Sequence, residues 1–204
     1  MRIILIGAPG SGKGTIARAI SEKTGIPTIS TGELLRKNEF LTSEDIKAIK
    51  SGELLTDDIV NEVLKNRVKA KDCEEGFILD GYPRNFSQVA FLENTFKNLN
   101  TEEEKVIFLD VPKDILINRV IERIQCDNCG KIYNINNKPK NENICDCCHS
   151  CLQKRSDDNI NSIKRRIQIF DNESKEIIEY YKSKGILKVV DGNMEVEEII
   201  KDIF

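Results

Sequence analysis

The sequence predicts an α/β fold in which a five-stranded parallel sheet is covered by helices on both faces. Short apolar runs recur along the chain, and helical stretches separate them. Strands that are buried on both faces have this continuous apolar character, and helices between them make the sheet parallel. The 204 residues suffice for one core of about 150 residues with small insertions. The predicted strands are 2–6, 28–30, 76–80, 106–110 and 186–191.

The first strand leads into a phosphate-binding loop, Gly-Ala-Pro-Gly-Ser-Gly-Lys-Gly-Thr at 7–15. Its glycines let successive backbone N–H groups point into one concavity at a helix N-terminus, and Lys13 adds a full positive charge. The usual motif places Ser or Thr directly after the lysine, whereas here Gly14 follows and the hydroxyl comes one place later, in Thr15. The segment predicts a polyphosphate site.

Composition narrows the class of protein. The hydrophobic content of 39% and the charged content of 32% are typical of a globular protein. The net charge of -3 argues against a general nucleic-acid binder, which normally carries a basic surplus. Apolar runs stay far below the roughly 20 residues of a membrane span, and the apolar start is too short for a secretory signal. We therefore expect a cytoplasmic protein.

Two segments interrupt the α/β rhythm and are expected to close over a site. Residues 31–55 form a polar helical excursion, and residues 122–158 carry six of the seven cysteines. Ligands of parallel sheets bind at the carboxyl ends of the strands. Three predicted strands end there in Asp80, Asp110 and Asp191, so at least one of these carboxylates is expected to face the site. Asp110 fits a turn or a helix cap equally well.

Two further segments supply candidate nucleotide contacts. The turn Asp-Gly-Tyr-Pro-Arg at 80–84 directs Arg84 outward at a strand end, as a phosphate clamp requires, and Gln88 offers an amide to a base edge. In Ser-Thr-Gly-Glu-Leu-Leu-Arg at 30–36, Thr31 and Arg36 fit a ligand site, but also a helix cap and a surface arginine.

Other arginines follow at helical spacing. Arg119 and Arg123 are predicted to share a helix that begins near Pro112, and Arg155 and Arg166 frame a later one. At 100° per residue, the first pair lies opposite the apolar stripe and points away from the core. That stripe consists of Ile117, Val120, Ile121 and Ile124.

Four cysteines have the spacing of a structural zinc site. Two Cys-x2-Cys pairs separated by 15 residues can supply four thiolates to a tetrahedral ion that stiffens a segment too small for its own core. Cys147, His149 and Cys151 are surplus, and the alternative pair Cys148-x2-Cys151 stays open; Cys73 is expected to pack in the core. The predicted ligands are Cys126, Cys129, Cys145 and Cys148.

Taken together, the loop at 7–15, the segments at 30–36 and 80–84, and Arg-Ser-Asp-Asp at 155–158 with Arg166 resemble the adenylate kinases of the long-lid type with a zinc-binding lid. That family carries the same Gly-Lys-Gly-Thr order. The resemblance implies a P-loop kinase core, a helical nucleoside-monophosphate-binding insertion and a small β zinc-ribbon lid. The implied ranges are 1–29, 56–121 and 159–204 for the core, 30–55 for the insertion and 122–158 for the lid.

The resemblance also implies a role for individual residues, with Asp157 and Asp158 holding the lid. Those assigned to ATP are Gly10, Ser11, Gly12, Lys13, Gly14, Thr15, Arg123, Ile132, Tyr133 and Met194. Those assigned to AMP are Thr31, Arg36, Glu53, Leu54, Leu55, Gly81, Tyr82, Pro83, Arg84, Gln88, Arg155 and Arg166. Those assigned to catalysis are Lys13, Asp80, Arg84, Arg119, Arg123, Arg155 and Arg166.

The implied reaction is the reversible, Mg2+-dependent conversion of ATP and AMP to two ADP by a monomer that binds neither nucleic acid nor membrane, with Zn2+ structural in the lid. One alternative is a kinase of another monophosphate, UMP or CMP; Thr31 and Gln88 favour AMP. The other is a zinc-ribbon ATPase that binds nucleic acid. It predicts a basic, aromatic-bearing ribbon, whereas Asp127, Glu142 and Asp146 lie in this one.

Overall fold

A five-stranded parallel sheet forms the centre of the computed structural model, which describes residues 1–37, 41–134 and 137–204. The described strands are β1 (Arg2–Ile6), β2 (Thr28–Ser30), β3 (Phe77–Asp80), β4 (Lys105–Asp110), β5 (Ile124–Cys126), β6 (Ile132–Tyr133), β7 (Leu152–Gln153) and β8 (Leu187–Asp191). The order of the parallel strands in the central sheet is β2-β3-β1-β4-β8, so the predicted sheet is confirmed.

Helices cover the sheet on both faces because its strands are apolar on both. In β1, Ile3 and Leu5 pack with one apolar cluster, which includes residues of the first and last helices. Ile4 and Ile6 pack with the other, towards the fourth, fifth and seventh helices. Each such buried side chain contributes about 1.5–3 kcal/mol. The helices are α1 (Lys13–Thr24), α2 (Thr31–Arg36), α3 (Ser43–Ser51), α4 (Asp57–Val68), α5 (Phe86–Asn98), α6 (Lys113–Ile121), α7 (Ile160–Ser183) and α8 (Val196–Ile203).

The segment between β2 and β3 is helical, as predicted. Helix α2 begins directly after β2, and α3 begins with a capping box between Thr42 and Asp45. Helix α3 has no buried residue, so it rests on the body of the protein through partly buried side chains such as Ile49. Residues 38–40 of the predicted 30–55 insertion lie outside the described residues.

A small antiparallel sheet of order β6-β5-β7 forms the cysteine-rich segment. Its own core consists of the buried residues Cys126, Tyr133, Cys145 and Leu152. So few apolar side chains cannot offset the conformational entropy of ordering the segment. We call this segment the lid; its residues 135–136 lie outside the described part of the chain.

The prediction that Arg119 and Arg123 share one helix is wrong. Helix α6 ends at Ile121, and Ile124 belongs to β5 rather than to a helical stripe. The apolar spacing near Ile124 is compatible with either a helix or a strand. The strand forms because β5 pairs with β6 and β7. Arg123 therefore lies in the link between the core and the lid, and its side chain is only 11% exposed.

Helix α7 is the longest described helix, at 24 residues. Its buried side chains recur at helical spacing and include Ile163, Ile167, Ile177 and Tyr181. Among the described helices, none is both long enough and apolar enough to cross a bilayer.

Candidate active site

The carboxyl ends of the parallel strands open onto a cleft of about 1210 Å³. Register aligns these ends, because Ser30 and Leu5 both lie opposite Asp80, and Asp110 lies opposite Asp191. Most of the residues assigned to nucleotides or to catalysis line this one cleft. They are Gly10, Ser11, Gly12, Lys13, Gly14, Thr15, Arg36, Leu54, Asp80, Gly81, Pro83, Arg84, Arg119, Arg123, Ile132, Arg155, Arg166 and Met194.

The loop after β1 curls tightly before α1 begins. Gly10 and Gly12 have φ of 87° and 93°, a region that side-chain-bearing residues disfavour. A Cβ on Gly10 would also lie 2.6 Å from the carbonyl oxygen of Leu116. The loop thus turns the N-terminus of α1 towards the cleft, where the helix dipole favours an anion.

Lys13 lies across this loop. Its Nζ donates to the carbonyl oxygens of Gly7 at 2.6 Å and Ala8 at 3.0 Å. Burial lowers the pKa of Lys13 to about 8, against the opposing effect of Asp80. A phosphate that approached the loop would favour the charged form of this amine.

Of the three aspartates that end strands, Asp80 faces the cleft. Its Oδ2 lies 3.5 Å from the point that a Cβ on Gly14 would occupy, and Cδ1 of Ile132 in the lid lies equally close to that point. Asp191 instead accepts a turn hydrogen bond from the N–H of Asn193. Asp110 is exposed, and Pro112 takes the cap position of α6, so the helix-cap reading of Asp110 is wrong.

Ion pairs connect the lid segment to the helices around it. Asp158 accepts from Nε of Arg123 at 2.7 Å and from its Nη2 at 2.5 Å. Asp157 accepts from Arg166 at 3.3 Å, and Nη1 of Arg36 lies 3.7 Å from the same oxygen. These arginines thus meet around two carboxylates at the end of the lid.

More positive charge gathers in the cleft than these carboxylates neutralise. Desolvation, with the neighbouring Arg166, lowers the pKa of Arg84 to about 10. Desolvation, with the neighbouring Arg123, likewise lowers the pKa of Arg155 to about 10. Cations held together in a place of low dielectric favour a polyanionic ligand, because its charge relieves their repulsion.

A second, smaller cavity of about 50 Å³ adjoins the cleft. One part of its wall is apolar and comes from α2, α3, the loop after α3 and the start of α4. The other part is polar and consists of Arg36, Glu53, Arg84, Gln88, Asp157 and Arg166. The two cavities share Arg36, Leu54, Arg84 and Arg166. The apolar part comprises Leu35, Ile49, Leu54, Leu55 and Val60.

Three of the predicted side chains turn away from both cavities. Thr31 is buried and donates to the carbonyl oxygen of Gly81 at 3.0 Å, which holds the turn after β3. Tyr82 is buried and donates to Asn61 at 2.6 Å. Tyr133 packs inside the lid, where its hydroxyl accepts from the N–H of Asp146 at 2.8 Å. The chain alternates across a strand or turn, so a neighbour of a cleft residue need not reach the cleft.

Arg119 lines the cleft and is held by the loop after β8. Its guanidinium donates to the carbonyl oxygen of Gly192 at 2.9 Å and to Asn193 at 3.0 Å. These bonds hold the loop after β8 that presents Met194 to the cleft.

The four predicted cysteine ligands form one cluster, with all sulfur atoms within 4.8 Å of one another. Sulfur atoms of Cys126 and Cys148 are 3.3 Å apart, and those of Cys129 and Cys145 are 3.5 Å apart. Tetrahedral Zn–S bonds of about 2.3 Å place sulfurs about 3.8 Å apart. The donor set and its spacing therefore fit zinc.

Equivalent turns form the two halves of this cluster. The N–H of Gly130 donates to the carbonyl oxygen of Cys126, and the N–H of His149 donates to that of Cys145, both at 2.9 Å. Each turn ends in the left-handed region, with φ of 72° at Gly130 and 59° at His149. His149 thus occupies the position that Gly130 has in the first turn, and the exposed Cys147 and Cys151 lie outside the cluster.

Sequence reasoning missed Asp57, Arg18 and Glu33. Asp57 follows Thr56 at the start of a helix, where an acidic residue needs no further explanation. Arg18 lies on α1 and donates to the carbonyl oxygen of Cys129 in the lid at 2.5 Å. Glu33 of α2 lies beside Gly130. Each of these contacts joins distant segments, so no local motif carries a signal for it.

Comparisons with known proteins agree with this geometry. A family model of adenylate kinase matches residues 5–186. An adenylate kinase of Thermotoga neapolitana is 40% identical over 207 residues, which cover 98% of this chain and 94% of the relative. Those of Archaeoglobus fulgidus and Clostridioides difficile are 40% and 39% identical, and each alignment covers 100% of this chain and 96% of the relative. Since these alignments span the cleft, the insertion and the lid alike, the chain belongs to the adenylate kinase family.

Proposed function

We propose that this chain transfers the terminal phosphoryl group of ATP to AMP, reversibly and with Mg2+, to give two ADP. The observation that carries the proposal is the sharing of Arg36, Arg84 and Arg166 between the large cleft and the small cavity. Two nucleotides bound in these cavities would meet with their phosphates at the same arginines. That is the arrangement that in-line transfer between them requires.

On the donor side, the loop amides and Lys13 would hold the phosphates of ATP. Arg119 would act from α6 and Arg123 from the link to the lid, with Ile132 and Met194 near the adenine. When bound with ATP, Mg2+ would supply positive charge that offsets the negative charge developing in transfer. Asp80 lies beside the loop at Gly14 and is the carboxylate suited to hold that ion through water.

On the acceptor side, the apolar part of the small cavity would take the adenine of AMP, with Gln88 at its edge. The backbone at 53–55 and the turn at 81–84 would enclose the nucleotide, and Thr31 would hold that turn. Arg36, Arg84, Arg155 and Arg166 would bind the phosphates of both substrates. No side-chain base is needed, because the acceptor is already an anionic phosphate oxygen.

We further propose that zinc occupies the cysteine cluster as a structural ion. The described part of the lid has four buried residues in its apolar core, and a thiolate-bound metal supplies stability that so small a core lacks. The ranges 1–29, 56–121 and 159–204 would act as the core, against which the 30–55 insertion and the 122–158 lid move. A cytoplasmic monomer that binds neither nucleic acid nor membrane completes the proposal.

A coupled assay of ADP formation tests the function. ATP is offered with AMP, CMP, UMP or GMP, and zinc content is measured on the same preparation. We expect AMP to be the preferred acceptor and about one zinc per chain. Preference for UMP or CMP would instead identify a kinase of that acceptor, and a shift of labelled DNA or RNA at moderate salt would favour the nucleic-acid alternative.

The variant Lys13→Ala tests the loop. Removal of its charge should lower kcat at least about a hundredfold, while circular dichroism and thermal unfolding show an intact fold. Near-normal turnover by this variant would refute the assignment.

A further inference from the structure

Three side chains around the start of α5 converge on one carboxylate, that of Asp57. Nδ2 of Asn85 donates to its Oδ1 at 3.0 Å, and the hydroxyl of Ser87 donates to its Oδ2. Nε2 of Gln88 donates to Oδ1 at 2.7 Å. Partial burial raises the pKa of Asp57, but these three hydrogen bonds outweigh it and leave the pKa below its ordinary value. The group is therefore held as an anion.

The amide of Gln88 is fixed at both ends. Its Oε1 accepts from the backbone N–H of Arg84 at 2.8 Å, while its Nε2 donates to Asp57. A carboxylate can only accept and a backbone N–H can only donate, so the amide has one permitted orientation. Gln88 is 1% exposed, and no rearrangement of solvent can substitute for these partners.

The fixed amide faces the small cavity. Gln88 is among its lining residues, whereas Asp57 lines neither cavity. Each polar atom of an amide has capacity for a second hydrogen bond. Gln88 can therefore offer one acceptor and one donor, in a set order, to a base that enters the cavity.

We propose that Asp57 is a positioning residue for the acceptor base: it fixes the order of donor and acceptor that Gln88 presents. The inference rests on the proposed function. Adenine offers an amino donor at position 6 and an acceptor at N1, and guanine reverses this order. A free amide could rotate by 180° and match either base, but a fixed one matches only one. A site built around one hydrogen-bond pattern rejects the opposite pattern strongly.

The variant Asp57→Ala tests the proposal, with Asp58→Ala as its matched control. Both carboxylates lie in the first turn of α4, so both substitutions remove the same helix-dipole contribution, but Asp58 is exposed. We expect Asp57→Ala to raise the KM for AMP about tenfold and to lower the AMP-to-GMP preference in kcat/KM about tenfold. We expect kcat and the KM for ATP to stay within about twofold, and Asp58→Ala to behave as wild type.

A double-mutant cycle separates positioning from a structural role. If Asp57 acts through the amide, Asp57→Ala should change neither the KM for AMP nor the base preference in a Gln88→Ala background. An equal rise in the KM for AMP in both backgrounds would overturn the proposal. So would an unchanged KM and preference in Asp57→Ala itself.

The variant Asp57→Asn covers the case in which Asp57→Ala does not fold at the assay temperature. It keeps an oxygen that can accept from Gln88 but loses the charge, so we expect about a threefold rise in the KM for AMP, again absent in the Gln88→Ala background. A wild-type chain without AMP-dependent ADP formation would refute the proposed function as well. A wild-type kinase whose base preference survives Asp57→Ala and Asp57→Asn would refute the role of Asp57 alone.

Discussion

Lys13 supplies the positive charge of the loop, but its amine is buried and largely desolvated. Its Nζ is held by two carbonyl oxygens of the loop, which stabilise a cation, yet burial lowers its pKa to about 8. In the nucleotide-free protein the amine thus ionises close to physiological pH, well below its ordinary value. If the loop holds the phosphates of ATP as proposed, we expect phosphate binding to be linked to protonation of Lys13.

This linkage predicts a pH dependence of ATP binding. Below pH 8 the amine is already charged, and binding requires no proton. Above it, the protein must take up a proton as ATP binds, so affinity should fall as the pH rises through about 8.

Titration calorimetry at about pH 8.5, in two buffers of different ionisation enthalpy, measures this proton uptake. Lys13→Met serves as the control, because methionine cannot be protonated. We expect this variant to lack the proton uptake that Lys13 contributes when ATP binds. Equal uptake by wild type and variant would contradict the linkage.

At the level of elements, the lid is held to the body of the protein from two directions. Arg18 on α1 donates to the carbonyl oxygen of Cys129, and Glu33 on α2 lies 3.3 Å from the point that a Cβ on Gly130 would occupy. The same turn of the lid thus meets the helix that follows the phosphate loop and the helix of the acceptor side. We expect these contacts to favour the closed arrangement that excludes water from transfer.

Arg18→Ala tests the contribution of α1 to closure. Loss of a charge-assisted hydrogen bond worth about 1.5 kcal/mol should raise the KM for ATP about tenfold and leave the unfolding temperature nearly unchanged.

Lys23→Ala, at the other end of α1, provides the control and should leave the KM for ATP as it is. Steady-state kinetics on both variants measures the effect. Equal values for Arg18→Ala and wild type would show that the contact does not contribute to closure.

At the scale of the whole molecule, stability is divided unevenly between the core and the lid. Two extensive apolar clusters cover the faces of the central sheet, whereas the lid, over the residues that the structure describes, has a cluster of four buried residues. Regions with few buried apolar contacts open at lower free energy than the global unfolding. The lid is thus the part whose order we expect to depend on the proposed zinc.

Removal of zinc should therefore loosen the lid and spare the core. Hydrogen exchange should accelerate at residues 124–153 after chelation, while the amides of the central strands stay protected. Cys148→Ser should reproduce this pattern and lose the metal.

His149→Gly is the matched control for Cys148→Ser, because His149 is the next residue in the chain and lies outside the four-cysteine cluster. It should retain about one zinc per chain and keep stability within about 1 kcal/mol, because glycine suits the left-handed backbone of that turn. Zinc loss in His149→Gly would instead identify His149 as a ligand.

Much of the architecture follows from local pattern. The five apolar runs became the five strands of the sheet, since a strand buried on both faces needs only a short continuous apolar run. The loop at 7–15 was equally readable, because its glycines and Lys13 act through backbone geometry within a few residues. Arg84 and Asp80 were placed at the cleft by the rule that parallel strands end on the same edge.

Tertiary structure decided what depends on partners distant in sequence. Arg123 lies outside the predicted helix because β5, which follows it, pairs with the other lid strands. Among the seven cysteines, folding of the two turns brought four sulfur atoms together and left Cys147 and Cys151 exposed. Asp57 and Gln88 lie 31 residues apart. Sequence by itself determined which groups could bind nucleotides; packing of α4 against α5 decided which way the amide of Gln88 faces, because hydrogen bonds orient a side chain only once both partners are in place.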